Sequence, residues 1–289
     1  MRWRGERQSS NIEDRRGHRL GRPGLAVGGL GTLAIVVIGM FLGVDPRVLL
    51  QGLQQTQVAA GPDAPAPGPY EESAGEAERR QFVAVVLADT EHVWQQLFST
   101  SGGTYREPKL VLFNGAVQSG CGFAEAAMGP FYCPADERVF LDMSFFDEMG
   151  SRLGAGGDFA QAYVIAHEVG HHVQNLLGAS GKVHELQQRV DKSEANQLSV
   201  RLELQADCYA GVWAHRAEQN RALLEAGDLE EAMGAASAVG DDRLQRRAQG
   251  HVVPDSFTHG SSEQRMRWFQ RGFESGNPGV CDTFAAADL

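Results

Sequence analysis

The stretch Ala162-Tyr163-Val164-Ile165-Ala166-His167-Glu168-Val169-Gly170-His171-His172 sets a His-Glu-x-x-His pattern inside a run with helical periodicity. Positions i and i+4 of a helix lie one above the other on a single face, so His167 and His171 can direct two imidazoles at one metal ion. Glu168 stands beside them, where its carboxylate can take a proton from an attacking water and pass it to a leaving amine. Chance is a weak rival. With 9 His in 289 residues, three matched positions arise by accident on the order of one time in a hundred.

A catalytic zinc takes three protein ligands and keeps one position for water, so another element must supply a third. Leu202-Glu203-Leu204-Gln205-Ala206-Asp207-Cys208-Tyr209-Ala210-Gly211-Val212-Trp213 offers it. Glu203 and Asp207 stand at i and i+4 of one face, while Leu198, Leu202, Ala206, Tyr209 and Trp213 form an apolar stripe that docks the helix. The plain alternative is an exposed acidic face. Beside the His-Glu-x-x-His helix, the sharper reading makes Glu203 the third zinc ligand. Asp207 then accepts a hydrogen bond from the outer nitrogen of a ligand imidazole, fixing its tautomer and orientation.

On these residues the chain resembles the bacterial putative neutral zinc metallopeptidases, a membrane-anchored family of the gluzincin type with HExxH followed by a helix carrying ExxxD. The resemblance extends to Met1-Arg2-Trp3, Glu13-Asp14-Arg15-Arg16, Ser119-Gly120-Cys121-Gly122-Phe123 through Gly129-Pro130-Phe131-Tyr132-Cys133-Pro134, and Ser256-Phe257-Thr258-His259-Gly260-Ser261-Ser262-Glu263-Gln264-Arg265. It implies an α+β, zincin-like peptidase domain, mostly helical with a small sheet, holding one catalytic Zn2+ and acting on polypeptide. It also implies an edge strand along the cleft that pairs with extended substrate, for which Leu112-Phe113-Asn114-Gly115-Ala116 is the candidate. In related gluzincins a comparable His-then-Arg segment lies near the active site. His259, before the helix bearing Arg265, is therefore a candidate donor to the developing oxyanion. The alternative is that His259 caps the helix start at Ser261.

The rest of the chain is read as one enzyme domain with an anchor. Residues 24–44 contain no charge, and a helix of that length, at about 1.5 Å per residue, just spans a hydrocarbon core of about 30 Å. A cleaved signal peptide is the rival, but its apolar region is only about 7 to 15 residues long. Seven Arg against Glu6, Glu13 and Asp14 before that stretch keep it cytoplasmic by the positive-inside rule. The expected organisation is a basic cytoplasmic segment at 1–22, a transmembrane helix at 23–44, a flexible linker at 45–75 rich in Ala, Pro and Gly, and the peptidase domain at 76–289 on the periplasmic or extracellular side. The net charge of −11 for the whole chain leaves about −15 beyond the anchor, which repels nucleic acid. Oligomeric state, substrate and cleavage preference are not written in the pattern.

Local signals place a helix from Glu76 to the Ser101-Gly102-Gly103 break, short strands at Lys109 to Phe113 and Arg138 to Asp142, and helices at about Asp158 to Leu177 and Ser193 to Arg216. Gly178 closes the helix that begins near Asp158, and Asp191 or Ser193 starts the last. Four cysteines outside the cytoplasm suggest Cys121 with Cys133 and Cys208 with Cys281; a structural zinc held by all four thiolates is the weaker reading, since no Cys-x-x-Cys occurs. His172 points about 100° from the metal line and reads as structural or cleft wall. His215 could face the cleft, and His18, His92, His184 and His251 have no partner pattern. The expected activity is zinc-dependent endopeptidase. A zinc hydrolase of a non-protein envelope amide and a catalytically silent surface binding module are the alternatives, the latter disfavoured because a scaffold needs no general base.

Overall fold

The computed structural model describes residues 1–17 and 70–289. Its elements in chain order are β1 (Ile12–Asp14), α1 (Ala74–Thr100), β2 (Lys109–Leu112), β3 (Ala116–Ser119), β4 (Gly122–Glu125), β5 (Phe131–Cys133), β6 (Arg138–Leu141), α2 (Ser144–Ser151), α3 (Asp158–Leu176), α4 (Ala179–Gln187), α5 (Lys192–Arg221), α6 (Asp228–Ala238), α7 (Asp241–Gln249) and α8 (Ser262–Ser275). The four-stranded sheet runs β1-β2-β6-β5, with β1, β2 and β6 parallel and β5 antiparallel to β6. Side chains alternate across it as a strand requires. Leu110, Leu112, Val139 and Leu141 enter the main core with the helices. Val111, Phe113 and Phe140 form a second cluster with Val117 and Ala124 of the β3-β4 hairpin. The Cys121–Cys133 disulfide ties the turn of that hairpin to β5.

The helices begin and end where their capping residues dictate. Ser73 and Glu76 form a capping box that starts α1, Asp191 accepts from the Glu194 amide at the start of α5, and Ser261 with Gln264 forms a second capping box on α8. Gly178, at φ 77°, turns the chain sharply after α3. Two close approaches then set the helical body. A Cβ at Gly170 of α3 would lie 3.0 Å from the Ala206 carbonyl oxygen of α5. Between α5 and α8, a Cβ at Gly211 would overlap the backbone at Phe269, and one at Gly272 would overlap the backbone at Cys208. Glycine at these points lets the three helices pack backbone to backbone, and large buried rings, Trp213, Tyr163, Phe159 and Phe269, fill the flanks.

The expected class and the expected substrate-pairing edge are corrected. The class of an α+β domain preceded by a transmembrane helix reduces to a mostly helical domain with a small sheet. Among the described residues no helix is long and apolar enough to cross a membrane, and the span expected at 23–44 lies outside those residues. Of the basic segment expected at 1–22, Met1–Arg16 form one compact body with Glu72–Leu289, and residues 18–22 lie outside the described residues. β1 pairs in parallel with β2, so residues 12–14 and 110–112 share one compartment. Of the linker expected at 45–75, residues 45–69 lie outside the described residues; α1 begins at Ala74, and Glu72 already holds Arg16 and Arg80 at 2.6 and 3.0 Å. Finally, Leu112-Phe113-Asn114-Gly115-Ala116 is not a sheet edge: β2 lies between β1 and β6, and the chain leaves it by a turn into β3.

Specific contacts hold the N-terminal residues in place. Trp3 is buried edge-on against Phe82 of α1, with ring centroids 5.4 Å apart. The α-ammonium of Met1 lies 2.8 Å from Asp158, the first residue of α3, and 3.2 Å from Asp228 at the start of α6. Glu91 of α1, 1% exposed, accepts hydrogen bonds from Arg7, Ser9 and Asn11. Glu91→Ala leaves those donors without their shared acceptor and should cost roughly 1–3 kcal/mol. At roughly 2–4 °C per kcal/mol for a domain of this size, thermal unfolding should shift down by several degrees. Limited proteolysis should cut near residues 1–16 sooner than in the parent. An unchanged melting temperature with unchanged protection would show that this acid does not hold the segment.

Candidate metal centre

α3 carries His167 and His171 one turn apart, with ring centroids 4.8 Å apart, and Glu168 between them, only 8% exposed. α5 crosses α3 where Gly170 meets Ala206, and this contact brings Glu203 opposite the two imidazoles. Glu203 Oε2 lies 3.2 Å from His167 Nε2, and Oε1 lies 3.4 Å from His171 Nε2. One donor atom from each of His167, His171 and Glu203 falls within 4.8 Å of the others. The separate motifs of the sequence thus converge on one point.

The outer nitrogens are held as well. His167 Nδ1 lies 2.8 Å from Asp207 Oδ1, leaving Nε2 for a metal. Asp207 has no exposed surface, yet its oxygens are fully used: Tyr163 donates its hydroxyl to Oδ1, and Arg265 donates from Nε to Oδ2 and from Nη2 to Oδ1, each at 2.9 Å. Arg265 Nη2 also donates to the Tyr163 hydroxyl at 3.2 Å. Burial favours the neutral acid of Asp207, but the charges of Arg265 and His167 outweigh it and hold its carboxyl below the ordinary range. Burial likewise opposes ionisation of Glu203, while both imidazoles hold it well below. The converse holds for the two imidazoles. Burial pushes the pKa of His167 and His171 down, but Asp207 beside the first and Glu203 beside both raise them on balance.

The donor set fits a divalent cation. Asp207, Glu203 and Glu168 bring three formal negative charges into this partly dry pocket against the one of Arg265, an excess that a dication cancels. Two imidazole nitrogens and a carboxylate oxygen are the ligand types zinc takes at catalytic sites. The carboxylates that raise the pKa of both imidazoles make protons compete with a metal for them, so metal binding should weaken as pH falls.

His259 lies in the turn between α7 and α8, half-exposed, and its environment includes the charges of Glu203 and Arg265. Asp241, the first residue of α7, accepts from the backbone amides of Thr258, His259 and Gly260 at 2.7, 2.6 and 3.1 Å, and lies 3.3 Å from His259 Nδ1. That carboxylate raises the imidazole pKa against partial burial. His259 is not the cap of α8, since Ser261 fills that role. Sequence reading missed Asp241, whose Gly240-Asp241-Asp242 signature marks a helix start but not what the carboxylate binds. It also missed Tyr163, although that residue precedes His167 by one helical turn.

The remaining described histidines stand apart from the cluster. His172 is buried between Tyr105 and Tyr132, with Nδ1 3.0 Å from the Tyr132 hydroxyl and Nε2 2.6 Å from the Arg106 carbonyl, and burial lowers its pKa. It ties β5 to α3 and is structural. His215 donates from Nδ1 to the Phe273 carbonyl. His92 and His184 meet Gln96 and Gln188 on exposed helix faces, His251 meets the Gln249 carbonyl, and His18 lies outside the described residues. Cys208 and Cys281 are joined, pinning the chain after α8 to the helix that carries Glu203 and Asp207.

Residues 1–284 match the family described as "Putative neutral zinc metallopeptidase", and the chain belongs to that family. The Escherichia coli K12 protein named "Uncharacterized protein YpfJ" is 53% identical over 292 residues, covering 98% of this chain and 99% of that protein. "Uncharacterized protein Rv2575" of Mycobacterium tuberculosis H37Rv is 42% identical over 265 residues, covering 86% of each. No solved structure matches.

The geometry gives an ordered set of metal affinities. His167→Ala, His171→Ala and Glu203→Ala should each strip or severely weaken zinc, whereas Asp207→Asn, which keeps the shape but not the charge, should weaken it by about 10- to 100-fold. Metal analysis after dialysis against a graded chelator measures this. Full zinc occupancy in Glu203→Ala would remove Glu203 from the ligand set.

Proposed function

We propose that this member of the neutral zinc metallopeptidase family is a zinc-dependent endopeptidase that cleaves polypeptides, with Glu168 as general base. The observation that carries the reading is the placement of Glu168 on the same helix turn as two imidazoles that share the Glu203 carboxylate. A site built only to hold metal has no need of that second acid. Zinc, when bound by His167, His171 and Glu203, supplies a Lewis acid that polarises the peptide carbonyl and lowers the pKa of the attacking water. Glu168 receives the proton from that water and delivers it to the departing amine. His259, steadied by Asp241, donates a hydrogen bond to the carbonyl oxygen as charge builds on it. Asp207, itself locked by Arg265 and Tyr163, keeps the His167 ring from rotating.

β5 replaces Leu112-Phe113-Asn114-Gly115-Ala116 as the candidate substrate-pairing edge. It is one of the two outer strands of the four-stranded sheet, and the one joined to α3, by the hydrogen bonds of Tyr132 with His172 and Asn175. The two disulfides support residence of the catalytic body in an oxidising compartment.

Incubation of the purified chain with a denatured protein and, separately, with an envelope amide distinguishes peptidase from amidase. Peptide cleavage that stops with a chelator and returns with zinc is the expected result; cleavage of the envelope amide alone would replace the reading. Glu168→Gln should retain zinc and lower turnover by several orders of magnitude, and near-normal turnover would remove Glu168 as base. His259→Ala should keep zinc and folding while lowering kcat by roughly 10²-fold. The Asp241 carboxylate keeps the His259 imidazolium, the donor form, to pH values above the ordinary 6.5. Asp241→Asn removes that support, so the alkaline limb of the kcat profile should move to lower pH. A limb that stays in place would assign Asp241 to the turn alone.

A further inference from the structure

The two candidate ligand imidazoles are supported in different ways. His167 has the charged Asp207, but the outer nitrogen of His171 meets a neutral amide: Nδ1 lies 2.9 Å from Gln174 Oε1, one turn further along α3. Gln174 has no exposed surface. Its amide nitrogen donates to the Leu202 carbonyl at 2.7 Å and to Gln205 Oε1 at 3.1 Å. The Gln205 amide nitrogen in turn donates to the Cys281 carbonyl at 2.9 Å. Three hydrogen bonds thus run from the metal-facing helix through α5 to the segment that the Cys208–Cys281 disulfide fixes. The Thr283 hydroxyl donates to the Arg201 carbonyl at 2.7 Å and Arg201 donates to the Thr283 carbonyl, so this segment is held on both sides of the contact.

The direction of the relay is not free. Carbonyl oxygens only accept, so Leu202 and Cys281 each require the NH2 end of the amide that faces them. Gln174 must then present its oxygen to His171, and Gln205 must present its oxygen to Gln174. Turning the Gln174 amide around would set its oxygen against the Leu202 carbonyl in a buried space, leaving acceptors facing acceptors at the cost of unsatisfied polar groups. The consequence reaches the imidazole. Facing an acceptor, Nδ1 must carry the hydrogen, which leaves Nε2, on the side where Glu203 stands, as the nitrogen that can offer a lone pair to a metal.

We propose that Gln174 and Gln205 are positioning residues for His171: a buried amide relay, anchored on the Leu202 and Cys281 carbonyls, that holds hydrogen on Nδ1 and fixes the rotation of the ring so that Nε2 is the nitrogen offered to a metal. This rests on the reading of His171 as a metal ligand. It gives the C-terminal segment after α8 a part in metal binding, through hydrogen bonds and without contributing a ligand.

The test uses the full chain and zinc ion, with affinity read by competition against a chromophoric chelator and folding by thermal unfolding of the metal-free protein. Gln174→Met, close in shape but unable to accept from His171, should weaken zinc by about 10- to 100-fold. Gln205→Met should weaken it less. The double variant should be no worse than Gln174→Met alone, because Gln205 acts through Gln174. Should Gln174→Met fail to fold, long-range 1H–15N spectra of the zinc-loaded parent and of Gln205→Met carry the test. They should show the His171 ring protonated at Nδ1, its proton exchanging slowly in the parent and faster in the variant. Unchanged zinc affinity in folded Gln174→Met, additive losses in the double variant, or a fast-exchanging Nδ1 proton in the parent would overturn the relay. A parent chain that fails to bind zinc at all would instead overturn the metal site on which the relay rests.

Discussion

Everything the site can do depends on how closely α3, α5 and α8 approach one another. Helices separated by ordinary side chains hold their axes about 8–10 Å apart, a range whose lower end requires small residues at the crossing. Gly170 supplies one at the crossing of α3 and α5, and Gly211 with Gly272 supplies the pair between α5 and α8. Short side chains then suffice where long ones would otherwise be needed. Asp207, with a single methylene, reaches His167 from α5, and Arg265 reaches Asp207 from α8 through Nε and Nη2. Glycine here serves packing, not a turn.

Close packing also makes the centre electrostatically demanding. Asp207 and Arg265 are almost completely withdrawn from water, and buried ions are tolerated only when paired and hydrogen-bonded. The structure meets that condition by using each group several times: Asp207 serves an imidazole, a phenol and a guanidinium. Removing one partner of such a buried pair costs about 3–5 kcal/mol, because it strands the other charge. The network therefore couples the stability of the helical body to the geometry at His167. His171, by contrast, is held through neutral amides, so its ring can be fixed without adding a further charge to the pocket.

The sheet and the N-terminal residues serve this core from the other side. β5 meets α3 through Tyr132, His172 and Asn175. The first residues of the chain close the helical body by packing on α1 and bonding to the start of α3. Pairing of β1 with β2 joins segments nearly a hundred residues apart in sequence, an entropic loop cost that only folding of the whole body offsets.

Much of the centre was legible in the chain because its signals are local. The i, i+4 spacing of His167 and His171, the Glu203 and Asp207 pair and the caps at Asp191 and Gly178 each lie within one or two helical turns, where helix geometry alone places side chains. The order of the cysteines suggested the two disulfides that form. What crosses elements was not legible. Periodicity says that an apolar stripe docks but not against what, so Asp241 read only as a helix start, and Gln174 and Gln205 read as ordinary polar residues. An edge strand could not be told from a central one by composition, and β2 proved central because β1 comes from the far end of the sequence. Nor does composition reveal that Met1–Arg16 pack with Glu72–Leu289 in one body. Sequence determined which groups stand together on one helix face, since the backbone repeat fixes that distance. Tertiary structure decided which faces meet, since that depends on close approach between segments whose separation along the chain carries no geometric information.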